Sequence, residues 1–426
     1  MPLNQSVAEG VRFLALRDSR FKTASLTVAL LLPLREETAS AYALLPYLLR
    51  RGCAAYPDYT ALQQRLNELY GASISASVAR IGEMQTLMLS AVSIDDRFAL
   101  NKEAVAAQCA ELLLSMLFEP VLENGVFRTA DVEQERRCLL ERIQSEINEK
   151  RLYARSRCEQ LLCAGEPYAV DRYGTPERVA ALDEAAVTAA WKQALREARI
   201  QLIYQGEGDE QAVKAAFTAS CAHIDGRSPC AAETLVRAAH EPVREQTETM
   251  AVQQAKLVLG FRTAVAEPSP EVDALRLMNA LLGGTPHSLL FRNVRERLSL
   301  CYYCASSYDR QKGVLLVDSG VEEEKAEQAK AEILRQLDAI RAGNFTAEDL
   351  ESARLSVINQ FRTVGDLQST LAGWYLGQCA GEALRTPEQA AQAIEAVTRE
   401  QVMYAAAQVA LEAVYRLAPE KGGESA

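Results

Sequence analysis

The sequence predicts an α+β protein of two domains built on one plan, and three observations lead there. Strand-like and helix-like stretches alternate in two passes of matching order. A polar stretch at 226–249, GRSPCAAETLVRAAHEPVREQTET, carries two prolines and separates the passes. The same helix start recurs in each pass, as Thr129-Ala-Asp-Val-Glu in the first and Thr346-Ala-Glu-Asp-Leu in the second. Such a threonine makes a good N-cap, and the acids after it complement the helix dipole. One cap of this kind is commonplace; two at corresponding places point to duplication. The predicted boundaries are 1–225 for the first domain, 226–249 for the linker and 250–426 for the second. The length fits, since one domain usually holds about 150 residues.

In the first pass, Leu26, Val28, Leu30 and Leu32 alternate with smaller or polar residues, the pattern of a half-buried strand. Helices are predicted over 41–51, ending at Gly52, and over 59–70, ending at Gly71. Ile74, Ala76 and Val78 then alternate with Ser73, Ser75 and Ser77. A turn near Gly82 returns the chain over 86–94, which reads as an antiparallel hairpin. Val105, Cys109, Leu112, Leu113, Met116 and Leu117 recur at helical spacing. The second pass repeats the order. A strand at 256–262 precedes a helix at 275–282, closed by Gly283 and Gly284, and a helix at 288–298. A hairpin of 301–308 with 313–321 and a long helix at 325–340 complete it.

Composition excludes some classes. A net charge of −11 argues against nucleic acid as the main partner, because phosphate binding needs a basic face. No apolar run approaches a membrane span, and MPLNQSVAEGVRFLALRDSRF has no charged-then-apolar signal region, so a cytoplasmic location is expected. Ten cysteines lie scattered, and in a reducing compartment most would be small buried hydrophobes. The one CxxC, Cys301 to Cys304, falls in a predicted strand, where alternation disfavours joint metal ligation.

A zinc peptidase needs two histidines on one helical face, a carboxylate ligand and a glutamate to activate water. This chain has three histidines, His223, His240 and His287, and no two lie within a turn or two of each other. Neither HExxH nor HxxEH can be written anywhere, so no metal and no cofactor is expected in this chain.

The most informative stretch is 281–308, LLGGTPHSLLFRNVRERLSLCYYCASSY, in which Arg295 ends a helix and Tyr302 opens the next strand. It resembles the C-terminal-half signature of the pitrilysin/insulinase (M16) metallopeptidase family. GEPYAVDRYGTPE at 165–177 is similar to the family's PY…GT segment, and the match runs from about Leu26 to a final strand near 413–419. The resemblance implies two homologous domains of the LuxS/MPP-like kind, each an antiparallel-rich sheet packed with helices, enclosing a cleft. It implies that Arg295 and Tyr302 bind the substrate backbone and stabilise the oxyanion, as preset donors outside a metal shell can do. It also puts Gly283, Gly284 and His287 in a loop over the cleft, where glycines allow close backbone approach. Read alone, His287 caps the helix that starts near Ser288.

The metal half of the family pattern is degenerate. The helix that should carry HxxEH reads Ala43-Leu-Leu-Pro-Tyr47, so Ala43 and Tyr47 stand at the histidine positions and Pro46 replaces the catalytic glutamate. DVEQERRCLLERI at 131–143 is similar to the helix bearing the glutamate ligand and puts Arg142 there, with Glu135 and Glu141 nearby. Those two carboxylates read as a solvated or salt-bridged helix face, and a guanidinium repels a cation outright.

Three functional readings follow. In the first, the chain is a non-catalytic subunit of a heterodimeric zinc peptidase, inactive alone, giving Arg295 and Tyr302 to an HxxEH-bearing sister that acts on a peptide or protein substrate. The wording RRG…LNELYGA and GGTPHSLLFRNVRERLSLCYY is most like a bacterial branch without the zinc motif, associated with 5-aminopentanol modification of elongation factor P. In the second, it is a non-proteolytic recognition protein for elongation factor P or its modifying enzymes. In the third, a cysteine acts as nucleophile with His223, His240 or His287 as base, although no local sequence sets a base beside a cysteine.

Overall fold

The computed structural model describes residues 3–221, 226–231, 233–379 and 384–420. His223 lies outside the described residues. The chain forms two compact units, one of Met1–Ile143 with Val170–Glu233 and one of Gln144–Ala169 with Thr234–Ala426.

Along the first part of the chain come β1 (Leu3–Ala8), β2 (Val11–Leu16), β3 (Thr23–Pro33), α1 (Ala39–Leu49), α2 (Tyr59–Glu68), β4 (Ser73–Ile81), β5 (Met84–Ile94) and α3 (Val105–Phe118). The short β6 (Leu122–Glu123) and β7 (Val126–Phe127) pair with each other and lead into α4 (Thr129–Asn148) and α5 (Lys150–Leu162). Next are α6 (Pro176–Ala180), α7 (Glu184–Glu197), β8 (Arg199–Gln205) and α8 (Glu210–Cys221). The first unit's sheet has the order β1-β2-β8-β3-β5-β4.

The later part holds β9 (Arg244–Met250), β10 (Ala255–Arg262), α9 (Val272–Asn279), β11 (Cys301–Asp309), β12 (Val314–Val321), α10 (Ala326–Arg341) and α11 (Ala347–Thr363). It ends with α12 (Gln368–Leu376), α13 (Pro387–Ala396), α14 (Arg399–Gln408) and β13 (Ala410–Pro419). This sheet has the order β11-β12-β10-β13-β9.

The two sheets share one wiring. In the first, β2 runs parallel to β8, and β8, β3, β5 and β4 follow antiparallel. In the second, β9 runs parallel to β13, and β13, β10, β12 and β11 follow antiparallel. The α+β duplication read from the sequence is therefore a property of the hydrogen-bond ladders. The helix-start echo is only half matched. Thr346 caps α11 in a full capping box with Asp349, whereas Thr129 is itself the first residue of α4, whose opening turn hydrogen-bonds back to the Arg128 carbonyl.

Residues 144–169 fall in the second unit, although the sequence boundary placed them before the linker. Packing explains this. Ala154, Cys158 and Leu162 of α5 bury against Val258, Leu316, Ala413 and Tyr415 on one face of the second sheet. A Cβ on Gly260 of β10 would come within 3.2 Å of both Cys158 Sγ and Leu162 Cδ2, so glycine lets the helix lie this close. Glu166 then anchors the segment. It is buried and holds Arg262 at 2.5 Å and the fully buried Lys312 at 2.5 Å, while Arg262 also reaches Glu412 at 3.3 Å. The stretch expected to be a linker also contributes an edge strand, β9, to the second sheet.

Candidate functional site

α1 is buried on almost every side, and Ala43, Pro46 and Tyr47 all lie in that buried set. Pro46 sits inside the helix, where it removes one backbone donor, and apolar packing from all directions offsets the loss. One face of α4 buries Val132, Glu135 and Leu139, three residues at helical spacing that point toward the same core. Arg142 continues that row by one turn and reaches α1. Its Nη1 donates to the Tyr47 hydroxyl at 2.5 Å, and its guanidinium lies over the Tyr47 ring, 4.4 Å from the centroid. Burial, then the neighbouring Tyr173, push the Tyr47 phenol up to about 12, against the pull of Arg142 and Arg172. The two helices that the resemblance gives to metal binding do meet here, but a phenol and a guanidinium join them.

The surrounding carboxylates are engaged elsewhere. Glu135 is buried and takes Arg51 Nη1 at 2.8 Å, while Asp131 takes Arg51 Nη2 at 2.8 Å. Glu141 is exposed. A methyl, a proline ring, a phenol and a guanidinium at 43, 46, 47 and 142 give no set of zinc donors, so these residues do not fit the metal. Among the described residues no group of three or more His, Cys, Asp or Glu could hold a metal ion.

In the second unit the segment from Gly283 to Tyr302 is less regular than its sequence suggests. α9 passes into a π-helical turn over Ala280–Gly284, and a second π-helical stretch covers Leu290–Arg297. Gly283 packs against β11: a Cβ there would stand 2.7 Å from the Ser306 backbone nitrogen. Ser288, rather than His287, caps the second stretch, its Oγ accepting from the Phe291 N–H at 3.4 Å. His287 is exposed. A tight corner then turns through Ser299, whose φ of 49° is left-handed, into β11.

Arg295 and Tyr302 flank that corner. The Arg295 guanidinium stacks over Phe291 at 4.6 Å, and its ionic partner among the described residues is the adjacent Glu296 at 3.6 Å, both side chains largely exposed. Such a pair contributes little and leaves the guanidinium available. Tyr302 is 55 % exposed. The cause is a β-bulge: Cys301 pairs with Val321 and Tyr303 with Gly320, so Tyr302 is an extra residue thrown outward from the ladder.

The same bulge corrects the reading of the CxxC pair. Regular alternation would send Cys301 and Cys304 to opposite faces, yet both are buried on one side of β11. Cys304, through a side-chain hydrogen bond, does most to hold the Cys301 thiol below its usual range, and the charge on Arg295 helps. Sequence reasoning also missed Arg172 and Tyr173, which sit against Tyr47. Their segment resembles PY…GT, a likeness that by itself assigns no role to either residue.

The fold and these sites define a class: two units of one strand wiring, in which the side chains at 43, 46, 47 and 142, the positions that the resemblance gives to a metal, offer no zinc donors. Residues 181–357 match the family model described as the Peptidase M16 inactive domain. The chain is 30 % identical over 416 residues to a "Probable inactive metalloprotease YmfF" of Bacillus subtilis (strain 168), covering 96 % of this chain and 95 % of that one. A conserved protein from Enterococcus faecalis V583 superposes with a TM-score of 0.90 at 25 % identity, over 99 % of this chain and 100 % of that one. A peptidase M16 inactive domain from Pseudomonas fluorescens shares the fold with a TM-score of 0.78 at 17 % identity, over all of both chains. The chain belongs to the M16 peptidase family, and within it is a non-catalytic homologue. Among the described residues no helix is long and apolar enough to cross a membrane.

Proposed function

We propose that this chain is the non-catalytic subunit of a two-chain M16-type peptidase and gives Arg295 and Tyr302 to an HxxEH-bearing partner. The observation that carries this is the corner at Ser299, which leaves a guanidinium and a phenol exposed on either side while both flanking elements are fixed in a packed core. The partner supplies zinc and the general-base glutamate. Arg295 and Tyr302 bind the substrate backbone and donate hydrogen bonds to the oxyanion as it forms. Donors held in place before reaction stabilise that charge without reorganising. In this reading the complex serves the pathway that modifies elongation factor P with 5-aminopentanol, and the single chain hydrolyses nothing.

The test is kinetic. In a mixture with the partner that cleaves a peptide, Arg295→Ala or Tyr302→Phe should lower kcat/KM by about 100-fold, the usual loss for one oxyanion donor, without separating the subunits. Unchanged turnover in both variants overturns the assignment. Native co-purification of a zinc-containing sister of similar size supports this reading; recovery of a modification enzyme alone supports a recognition protein instead.

A further inference from the structure

The degenerate metal position carries a positive charge of its own, the same sign as the ion that the resemblance would put there. Arg142 is exposed, and its partner among the described residues is the neutral Tyr47 hydroxyl rather than a carboxylate. Two more guanidiniums gather on the same aromatic pair. Arg50 lies 5.8 Å from the Tyr47 ring centroid, and Arg172 lies 4.4 Å from that of Tyr173. On α4 the buried Glu135 and its neighbour Asp131 are neutralised by Arg51, while Glu141, next to Arg142, is exposed and Glu146 lies one turn further on. A protein of net charge −11 thus gathers three guanidiniums on the Tyr47–Tyr173 pair.

We infer that Arg142, flanked by Tyr47, Arg50, Arg172 and Tyr173, forms a binding site for a carboxylate of an acidic peptide. The guanidinium has one nitrogen committed to Tyr47, and its plane is fixed over the ring. Its remaining Nε and Nη2 edge presents two parallel donors, which match the two oxygens of one carboxylate. The site rests on the proposed function only in taking a peptide as ligand. It needs neither the partner nor turnover.

Direct binding by the full chain tests it, using the anisotropy of two labelled peptides of equal length, one with glutamates and one with glutamines at the same positions. The overall negative charge disfavours the acidic peptide, so any preference for it must come from a local site. The glutamate peptide should bind at least about 10-fold tighter, the scale of one charge-assisted hydrogen bond. Arg142→Gln should abolish the preference while melting like the parent, Arg142→Lys should retain part of it, and Arg295→Ala should leave it intact. Equal binding of the two peptides, or a preference unchanged in Arg142→Gln, overturns the site. Displacement by inorganic phosphate at concentrations where acetate is without effect overturns its assignment to a carboxylate. Unchanged turnover of Arg295→Ala and Tyr302→Phe in the two-chain mixture, with this preference intact, would sink the proposed function and leave the site standing.

Discussion

Arg142 and Tyr47 are clasped side chain to side chain, 2.5 Å between nitrogen and phenol oxygen, with the guanidinium stacked on the ring. The contact ties α4 to α1 without a metal. Tyr47→Phe removes the hydrogen bond and keeps the stack, so it should cost about 0.5–1.5 kcal/mol in urea unfolding. Arg142→Ala should cost a little more, because the cation–π contact, worth about 0.5–1 kcal/mol at an exposed site, is lost as well. The phenol also has a pH signature. Burial raises it from 10.0 to about 12 in the folded chain, so its contribution is whole below pH 10 and fades as pH climbs toward 12. The alkaline loss of stability should be shallower in Tyr47→Phe than in the parent.

Glu166 predicts the acid limb. Burial alone would raise its carboxyl, but hydrogen bonds from Arg262 and Lys312, with their charges, outweigh that and hold it below the usual carboxylate range. A depressed folded value means the stabilisation is present above the ordinary glutamate value of 4.5 and is lost as pH falls through the folded one. Glu166→Gln leaves two buried cations underpaired. Denaturation at neutral pH should show a cost of about 3–5 kcal/mol, the range for breaking one side of a buried ion pair. A variant unfolding at the parent's urea midpoint would refute the anchoring role.

Local patterns made much of this architecture legible. The strand under Leu26–Leu32, the serine-rich hairpin strand and the helix of Val105–Leu117 all stand where periodicity put them. Two features escaped for physical reasons. The bulge at Tyr302 inserts one residue into a ladder, and nothing in Cys-Tyr-Tyr-Cys marks which residue is extra. The allegiance of 144–169 to the second unit rests on contacts about 100 positions away in sequence, such as Cys158 against Val258 and Glu166 against Arg262. A local reading has no access to such distant partners, and α5 has too little amphipathic character to declare which sheet it covers.

Gly260 sets how closely α5 approaches the second sheet. Adding a methyl there forces contacts of 3.2 Å with Cys158 and Leu162 and 3.4 Å with Ala413, and a branched side chain has nowhere to go. Gly260→Val should destabilise by about 1–3 kcal/mol, the usual penalty for overpacking. Gly373 in α12 provides the contrast, since a Cβ there meets nothing within 4 Å. Gly373→Ala should stabilise by about 0.4–1 kcal/mol through the unfolded chain and its helix propensity. Opposite shifts in the urea midpoint are the expected result; two shifts of the same sign would contradict the packing.

Gly283 and Gly284 stand side by side in the turn that supports the Arg295–Tyr302 corner, yet they should not be equivalent. A Cβ on Gly283 meets the Ser306 backbone nitrogen and Leu290 at 2.7 Å, so relief requires β11 or the π-helical stretch to move. A Cβ on Gly284 meets first the Asn279 side-chain amide, at 2.9 Å, which can rotate away, although the Asn279 carbonyl follows at 3.1 Å. Gly283→Ala should therefore cost more stability than Gly284→Ala, about 1–3 kcal/mol against less than half of that. Because β11 carries Tyr302 and the π-helical stretch carries Arg295, the same variant should also lower kcat/KM in the two-chain mixture. A Gly283→Ala protein with lost stability but full turnover would mean that the corner does not position these two side chains for catalysis.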